Sequence, residues 1–218
     1  MSAQLKQYDL KFKVHLLGEQ AVGKTSLLLR YAEERFYRTY DPTLNIDIKY
    51  RDVEYQGKRI RVELWDTIGQ ERFRSTMSAT LKDIDGVVFV YDVTELDSLV
   101  SLAKWILDVE SRCGDVGRIM VGNKVDLVES SGPAITASAA RELAVEKGIP
   151  LFQASAKSND NVEHVFDELI QSILDCKAAL GQSANWSFGR STVTLRTDTE
   201  NQAATPNAAA NSRRKCPC

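Results

Sequence analysis

The sequence predicts a doubly wound, mostly parallel α/β sheet with one antiparallel hairpin at its edge. Short apolar runs of the length of buried strands alternate along the chain with patterns of helical period. The segment IDIKYRDVEYQGKRIRVELW differs, because two extended stretches flank a Gln56-Gly57 turn. This segment therefore predicts the antiparallel hairpin.

Local patterns predict the individual elements. Between residues 159 and 176 the apolar side chains fall on one helical stripe, which predicts a long helix near the end of the fold. Thr94 followed by Asp97 predicts a capping box at the start of another helix. The runs that we predict as buried strands are KVHLL (13–17), RIRVELW (59–65), GVVFVYD (86–92), RIMVG (118–122) and PLFQA (150–154).

Composition predicts one domain and a tail. Of the 218 residues, 43% are hydrophobic, an ordinary fraction for a globular core. We expect one domain over residues 8–178 and a flexible polar tail over residues 179–218, which are rich in Ser, Thr, Asn, Gln and Ala. The 28 Lys and Arg nearly balance the 30 Asp and Glu, so charge predicts no nucleic-acid partner. We expect a monomer.

The scattered cysteines and histidines predict no cluster of metal ligands or nucleophiles. Cys113 and Cys176 lie far apart in helical patterns, which favours thiols in a reducing compartment over a disulfide framework. His15 in the first strand and His164 in the last helix have no clustered partners, and we interpret both as structural.

The stretch GEQAVGKT (18–25) directly follows the first strand and precedes a helical pattern. This is the context of a phosphate-binding loop, in which backbone N–H groups and the helix N-terminus surround phosphates. Lys24 would reach the β- and γ-phosphates, and the Thr25 hydroxyl would bind Mg²⁺. The alternative is a chance glycine turn. Candidate binding residues are Gly18, Gln20, Ala21, Val22, Gly23, Lys24, Thr25 and Ser26.

The stretch WDTIGQERF (65–73) ends the third strand with Asp66, where a carboxylate near Mg²⁺ would lie. Gly69 could donate its N–H to a γ-phosphate, and Gln70 could hold a water for attack. Alone, this pattern is also that of a polar exit from a strand. Thr43 in YDPTLNI could add a second hydroxyl to Mg²⁺, although an isolated loop threonine is usually a turn former.

Two short motifs at the ends of later strands predict base recognition. NKVD (123–126) places Asp126 where its carboxylate could accept from N1–H and the 2-amino group of guanine, which adenine cannot match. SAK (155–157) would bring the Ala156 N–H to guanine O6. Either motif alone is more often a solvated loop. Candidate base-binding residues are Asn123, Lys124, Asp126, Ser155, Ala156 and Lys157, with the two lysine stems on the ring faces.

The order GEQAVGKT, YDPT, WDTIGQE, NKVD, SAK resembles that of the Ras-like small GTPases over roughly residues 10–176. The resemblance implies a P-loop GTPase domain at 8–178 that binds GTP or GDP with Mg²⁺. It implies that Phe36 stacks on the guanine edge and that Thr43 senses the γ-phosphate. The metal residues would be Thr25, Thr43 and Asp66, and the catalytic residues Gln70, Lys24 and Gly69. The segments around Thr43 and Gln70 become two switches.

Within that family the chain resembles the Rab proteins, through Trp65, the ERF at 71–73, the polar tail and the terminal Cys-x-Cys. The resemblance implies geranylgeranylation of Cys216 and Cys218, whereas the alternative is a frayed terminus with incidental cysteines. Two lipids anchor stably where one binds marginally, and Arg213, Arg214 and Lys215 would favour an anionic leaflet.

The resemblance implies a membrane-anchored GTPase switch in vesicle trafficking. An exchange factor, a GTPase-activating protein and effectors would bind the switches. Prenylation machinery and a lipid-extracting chaperone would bind the tail. We expect the cytoplasmic face of an intracellular membrane, with a cytosolic pool. The alternative is a GTP-binding docking platform with little or no hydrolysis; NKVD with SAK disfavours an ATPase or kinase.

The chain departs from the usual Rab pattern at Gln20, at Ile68 in place of the alanine of DTAGQ, and at Asn45 and Ile48 in the first switch. These departures concern catalysis and effector choice. We expect hydrolysis to be slow without an activating protein.

Overall fold

The described part of the chain contains six strands and four α-helices, and each of these helices follows a strand. The computed structural model describes residues 8–37, 47–66, 81–128 and 136–181. By its contacts the chain divides into two units, Met1–Ala184 and Asn185–Cys218, and every described residue lies in the first. The described elements are β1 (Leu10–Leu17), α1 (Lys24–Glu33), β2 (Asp47–Tyr55), β3 (Lys58–Asp66), β4 (Gly86–Asp92), α2 (Leu96–Arg112), β5 (Gly117–Asn123), α3 (Ala137–Lys147), β6 (Leu151–Gln153) and α4 (Val162–Ala179).

The six described strands form one sheet in the order β2-β3-β1-β4-β5-β6. Every neighbouring pair is parallel except β2 and β3, which are antiparallel. Gln56 and Gly57 connect this pair with φ of 50° and 74°, and such positive values match the twist of a two-residue hairpin. The predicted fold class is therefore confirmed, with the hairpin at the edge.

Strand β1 lies where the strand order reverses. From β1 the chain moves to β2 and β3 on one side, and then to β4, β5 and β6 on the other. In open α/β sheets, ligands bind outside the carboxyl ends of the strands at such a reversal. The loop after Leu17 begins at this position.

Two helices and the central strands enclose the core. The predicted stripe on α4 is confirmed, because Phe166, Leu169, Ile170 and Ile173 are among its buried side chains. A Cβ on Gly117 would lie 2.6 Å from Ile173 Cγ1 and 2.7 Å from its backbone N, so only glycine lets β5 approach α4 this closely. On the other face, Leu102, Trp105 and Ile106 of α2 belong to a second buried cluster.

The predicted capping box at Thr94 is wrong. Helix α2 begins at Leu96 after Glu95, and no side-chain hydrogen bond caps it. The N–H and hydroxyl of Thr94 instead donate to Asp92 Oδ1 at 2.9 and 2.7 Å. Because the Thr94 N–H already donates to Asp92, it is not available to the Asp97 carboxylate as a capping box requires.

His15 is fully buried against Trp65 of the neighbouring strand. The two rings are stacked with centroids 5.2 Å apart and an interplanar angle of 13°, and His15 has a relative exposure of 0%. Neither ring nitrogen has a hydrogen-bond partner among the described residues. Burial, aided by the charge of Lys13, lowers the pKa of His15 from 6.5 to about 3. His15 is thus a neutral structural residue, as interpreted from the sequence.

Stability should depend on pH through His15. The unfolded chain binds a proton below pH 6.5 that the folded chain refuses until about pH 3, so stability is full above this window and falls as pH falls through it. At pH 5 the loss relative to neutral pH should be about 2 kcal/mol. In His15→Phe, which retains a ring for stacking, this part of the pH dependence should disappear.

Urea unfolding at pH 7.5, 6.5, 5.75 and 5.0 measures the effect for the parent, His15→Phe and the control His164→Gln. His164 is the other of the two histidines, and its side chain is exposed. If the free energy of unfolding depends on pH equally in the parent and in His15→Phe, His15 is not the source of this pH dependence.

Candidate nucleotide-binding site

The loop between β1 and α1 fits tightly against the ends of two other strands. A Cβ on Gly18 would lie 2.1 Å from the Val90 carbonyl oxygen, and a Cβ on Gly23 would lie 2.3 Å from Asn123 Nδ2. Gly23 also has a φ of 94° and precedes α1 without a side-chain cap. The first turn of α1 thus follows a glycine and has no side-chain cap, an arrangement suited to phosphate.

Lys24 is almost completely buried within this loop, with a relative exposure of 5%. Its Nζ donates to the carbonyl oxygens of Gly18 and Glu19 at 3.1 and 2.7 Å. Burial lowers the pKa of Lys24 to about 8, although the carboxylates of Asp66 and Glu19 oppose the shift. A cation held among carbonyls at a helix N-terminus can bind phosphate oxygens without a large rearrangement.

Thr25 and Asp66 meet at the ends of α1 and β3. The Thr25 hydroxyl donates to Asp66 Oδ2 at 2.5 Å, and Asp66 has a relative exposure of 1%. Mg²⁺ prefers oxygen ligands such as hydroxyl and carboxylate groups, so this pair fits the predicted metal. Within the described residues no group of three or more His, Cys, Asp or Glu side chains is placed to hold a metal ion. A single carboxylate suits a cation that also binds phosphate oxygens.

Asn123, at the end of β5, connects the loop to the base motifs. Its Nδ2 donates to the Val22 carbonyl oxygen at 2.9 Å, and its Oδ1 accepts from the Ala156 N–H at 3.2 Å. With a relative exposure of 2%, this amide is shielded from water. One side chain therefore holds together GEQAVGKT, NKVD and SAK.

Asp126 is an oriented carboxylate at the rim of the site. The Ser155 hydroxyl donates to Oδ1 at 2.6 Å, and Lys157 Nζ lies 3.1 Å from Oδ2. Burial alone would raise the pKa of Asp126, but the bonds from Ser155 and Lys157 outweigh it and hold the pKa below its usual value. Asp126 is thus an ionised acceptor, which suits the two donors on the guanine edge.

The remaining base residues lie around Asp126. Lys124 has a φ of 70°, and its Nζ lies 2.6 Å from Asp92 Oδ2 at the end of β4. The partly buried Phe36 follows α1, with the Arg30 guanidinium carbon 5.8 Å from its ring centroid. The contacts of Lys124, Lys157 and Phe36 with a base stay predictions.

The structure brings the phosphate loop, Asp66, NKVD and SAK to the carboxyl edge of the sheet. Outside the described residues lie the predicted site positions Thr43, Gly69, Gln70, Cys216 and Cys218, together with Asn45 and Ile68. Gln20 is exposed in the phosphate loop, and Ile48 is half-buried opposite Trp65.

Three residues of the site escaped the sequence analysis. Asp92 ends β4 as Asp66 ends β3, so its position at a strand terminus was an available signal. Trp105 of α2 donates its indole N–H to Glu19 Oε1 at 3.3 Å, and Arg30 of α1 bonds to the SAK loop. Both lie on helices, where no local pattern predicts such contacts.

Comparison with known proteins decides the family. The model of the Ras family matches residues 13–175. The chain belongs to the Ras family. It is 42% identical over 167 residues to the Ras-related protein RABE1e of Arabidopsis thaliana, with 76% of each chain covered. It is 39% identical over 204 residues to the Ras-related protein RAB1BV of Beta vulgaris, covering 92% of this chain and 93% of the relative.

A third relative is the Ras-related protein Rab-13 of Mesocricetus auratus, 39% identical over 197 residues, with 90% of this chain and 96% of the relative covered. The chain is a Rab-type small GTPase, which binds guanine nucleotide and hydrolyses GTP to GDP. Rab-type GTPases are switches in vesicle trafficking that associate with intracellular membranes. No described helix of this chain is both long enough and apolar enough to cross a bilayer.

Asp126→Asn should move base preference from GTP toward XTP. The new amide would present a donor to the guanine 2-amino group, whereas it suits the 2-oxo group of xanthine. A mispaired buried polar group costs about 1 to 3 kcal/mol, so GTP affinity should fall about 5- to 150-fold. Competition of GTP and XTP for the purified protein measures the change.

Asp160→Asn is the matched control, because it removes the same charge from the neighbouring SAK loop and Asp160 pairs with Ser155 through backbone groups. It should retain the GTP preference. Unchanged GTP selectivity in Asp126→Asn would mean that another residue recognises the base.

Proposed function

We propose that this Rab-type chain is a membrane-anchored switch that cycles between GTP-bound and GDP-bound forms with Mg²⁺. The observation that carries the proposal is the Asn123 amide, which joins the phosphate loop to the SAK loop at 2.9 and 3.2 Å. A nucleotide that binds both loops would bridge parts of the chain that are already joined.

Each residue of the proposed site has a chemical role. Lys24 would bind the β- and γ-phosphates, and the Gly69 N–H would meet the γ-phosphate. Thr25, Thr43 and Asp66 would hold Mg²⁺, which supplies charge neutralisation at the phosphates. Gln70 would orient the attacking water. Because phosphoryl transfer depends almost entirely on positioning and electrostatics, these groups suffice for hydrolysis.

Hydrolysis should be slow without an activating protein. Gln20 is exposed beside the phosphate loop, where it would occupy space near the γ-phosphate. Ile68 is β-branched and larger than alanine, and in the sequence it directly precedes Gly69. Both side chains would restrict the approach of water and of an activator's arginine.

The two switches and the tail would bind different partners. The γ-phosphate would order the segments around Thr43 and Gln70 for effectors, and hydrolysis would release them. An exchange factor and an activating protein would act on the same segments. Lipids on Cys216 and Cys218, with the cations Arg213 to Lys215, would hold the chain at the cytoplasmic face of an intracellular membrane. Prenylation machinery and a lipid-extracting chaperone would supply and remove this anchor.

The first arm of the test measures turnover. Protein loaded with Mg²⁺ and GTP should release phosphate in a single turnover, and Gln70→Leu should slow that release at least tenfold without weakening GTP binding. Equal rates for the two proteins would contradict the role of Gln70, and failure of the parent to bind GTP would contradict the site.

The second arm measures the anchor. Full-length protein should pellet with membranes, Cys216→Ser and Cys218→Ser singly should pellet incompletely, and the double variant should stay in the supernatant. Cys113→Ser is the matched control, since Cys113 lies within the folded domain. Full membrane recovery of the double variant would contradict the lipid anchor.

A further inference from the structure

Arg30 of α1 forms two hydrogen bonds with backbone carbonyls of the SAK loop. Its Nε donates to the Ala156 carbonyl oxygen at 2.8 Å, and one terminal nitrogen donates to the Lys157 carbonyl oxygen at 3.2 Å. The planar fork of arginine can hold two adjacent carbonyls at once, which an ammonium group cannot do with the same fixed geometry. Two consecutive peptide groups of the loop are therefore fixed by one side chain.

The same guanidinium also holds the turn that follows α1. Its other terminal nitrogen donates to the Glu34 carbonyl oxygen at 3.0 Å. Glu34 has a φ of 58°, so this turn is left-handed at a non-glycine residue. The guanidinium carbon lies 5.8 Å from the Phe36 ring centroid, near the limit of a cation–π contact. Arg30 thus contacts both Phe36 and SAK, the two segments that would lie on either side of a base.

Hydrogen bonds hold Ala156 through both its N–H and its carbonyl oxygen. Asn123 Oδ1 accepts from its N–H at 3.2 Å, and Arg30 fixes its carbonyl oxygen. Ala156 has a relative exposure of 3%, so its backbone groups are poorly hydrated and depend on these partners. Without Arg30 the Ala156 carbonyl would lose its partner and the residue would be held only through its N–H, so the position of that N–H would be less well defined.

We propose that Arg30 is a positioning residue for guanine recognition, which fixes the Ala156 N–H so that the site distinguishes the 6-oxo group of the base. This inference rests on the proposed function together with the base contacts predicted from the sequence, in which O6 would share the Ala156 N–H with Asn123 Oδ1 and Asp126 would meet the 2-amino group. Because the two atoms of guanine would be recognised by different residues, a defect at Arg30 is separable from a defect at Asp126.

Two analogues of GDP separate these contacts. In 6-thio-GDP a sulfur, a weak acceptor, replaces O6, while N1–H and the 2-amino group remain. In IDP the 2-amino group is absent and O6 remains. Equilibrium competition for the full-length protein gives two ratios, 6-thio-GDP over GDP and IDP over GDP in dissociation constant. Diphosphates avoid hydrolysis during the measurement.

The variants are Arg30→Met, which retains much of the stem but no donor, and Arg30→Lys, which retains the charge but not the fork. The matched control is Arg51→Met. Arg51 also bonds to α1, through the Tyr31 carbonyl oxygen, and to Glu163 Oε1 at 2.6 Å, but to no SAK residue. Circular dichroism and thermal unfolding establish that each variant is folded.

In the parent both ratios should be at least about tenfold, the effect of one lost buried hydrogen bond. Arg30→Met should lower the 6-thio-GDP ratio about fivefold and leave the IDP ratio within twofold, and Arg30→Lys should give an intermediate value. Arg51→Met should change neither ratio.

Other outcomes overturn the inference in distinguishable ways. Equal weakening of GDP and both analogues in Arg30→Met, or a fall of both ratios together, would mean that Arg30 only stabilises the fold. An unchanged 6-thio-GDP ratio would mean that Asn123 suffices. A parent that distinguishes IDP but not 6-thio-GDP would show that no N–H recognises O6, which ends the inference alone. A parent that distinguishes neither would end the assignment of the base site in the proposed function as well.

Discussion

The site depends on one buried amide. Asn123 donates to the Val22 carbonyl and accepts from the Ala156 N–H, so a single side chain fixes the phosphate loop and the SAK loop relative to each other. Those loops leave β1 and β6, which lie at different positions in the sheet and share no backbone pairing. Gly23 is part of the same constraint, because any larger residue there would collide with the Asn123 amide. A group this buried loses its hydration, so leaving one of its bonds unmade is costly.

Three aspartates at or after strand ends hold other side chains of the site in place. Asp66, Asp92 and Asp126 end strands or follow them, and each accepts from a residue of a neighbouring motif: Thr25, Lys124 and Lys157 respectively. The carboxylates thereby orient lysines and a hydroxyl before any ligand arrives, which lowers the reorganisation needed on binding. In the proposed nucleotide site this preorganisation would serve phosphate and guanine together.

Sequence alone predicted the sheet, the edge hairpin and the position of the phosphate loop, Asp66, NKVD and SAK at the ends of strands. These depend on local patterns: glycines that only a tight loop requires, apolar runs, and polar residues at strand ends. The contacts of Arg30 were not predictable, since its carbonyl partner Ala156 is 126 residues away and helix α1 shows no signal for them. The capping box failed for a related reason. The competing acceptor Asp92 belongs to the preceding strand, and it occupies the Thr94 N–H that the local motif requires.

The most direct test of the central claim is the rate of GDP dissociation from Asn123→Ala, measured with a fluorescent GDP analogue beside the parent. Loss of the amide leaves the Val22 carbonyl unpaired and removes the acceptor that Asn123 offers to the Ala156 N–H, and each lost bond costs about 1 to 3 kcal/mol if the groups stay buried. We expect dissociation at least about 30-fold faster, with helical circular dichroism retained. Dissociation within threefold of the parent would contradict the claim that this amide holds the two halves of the site together.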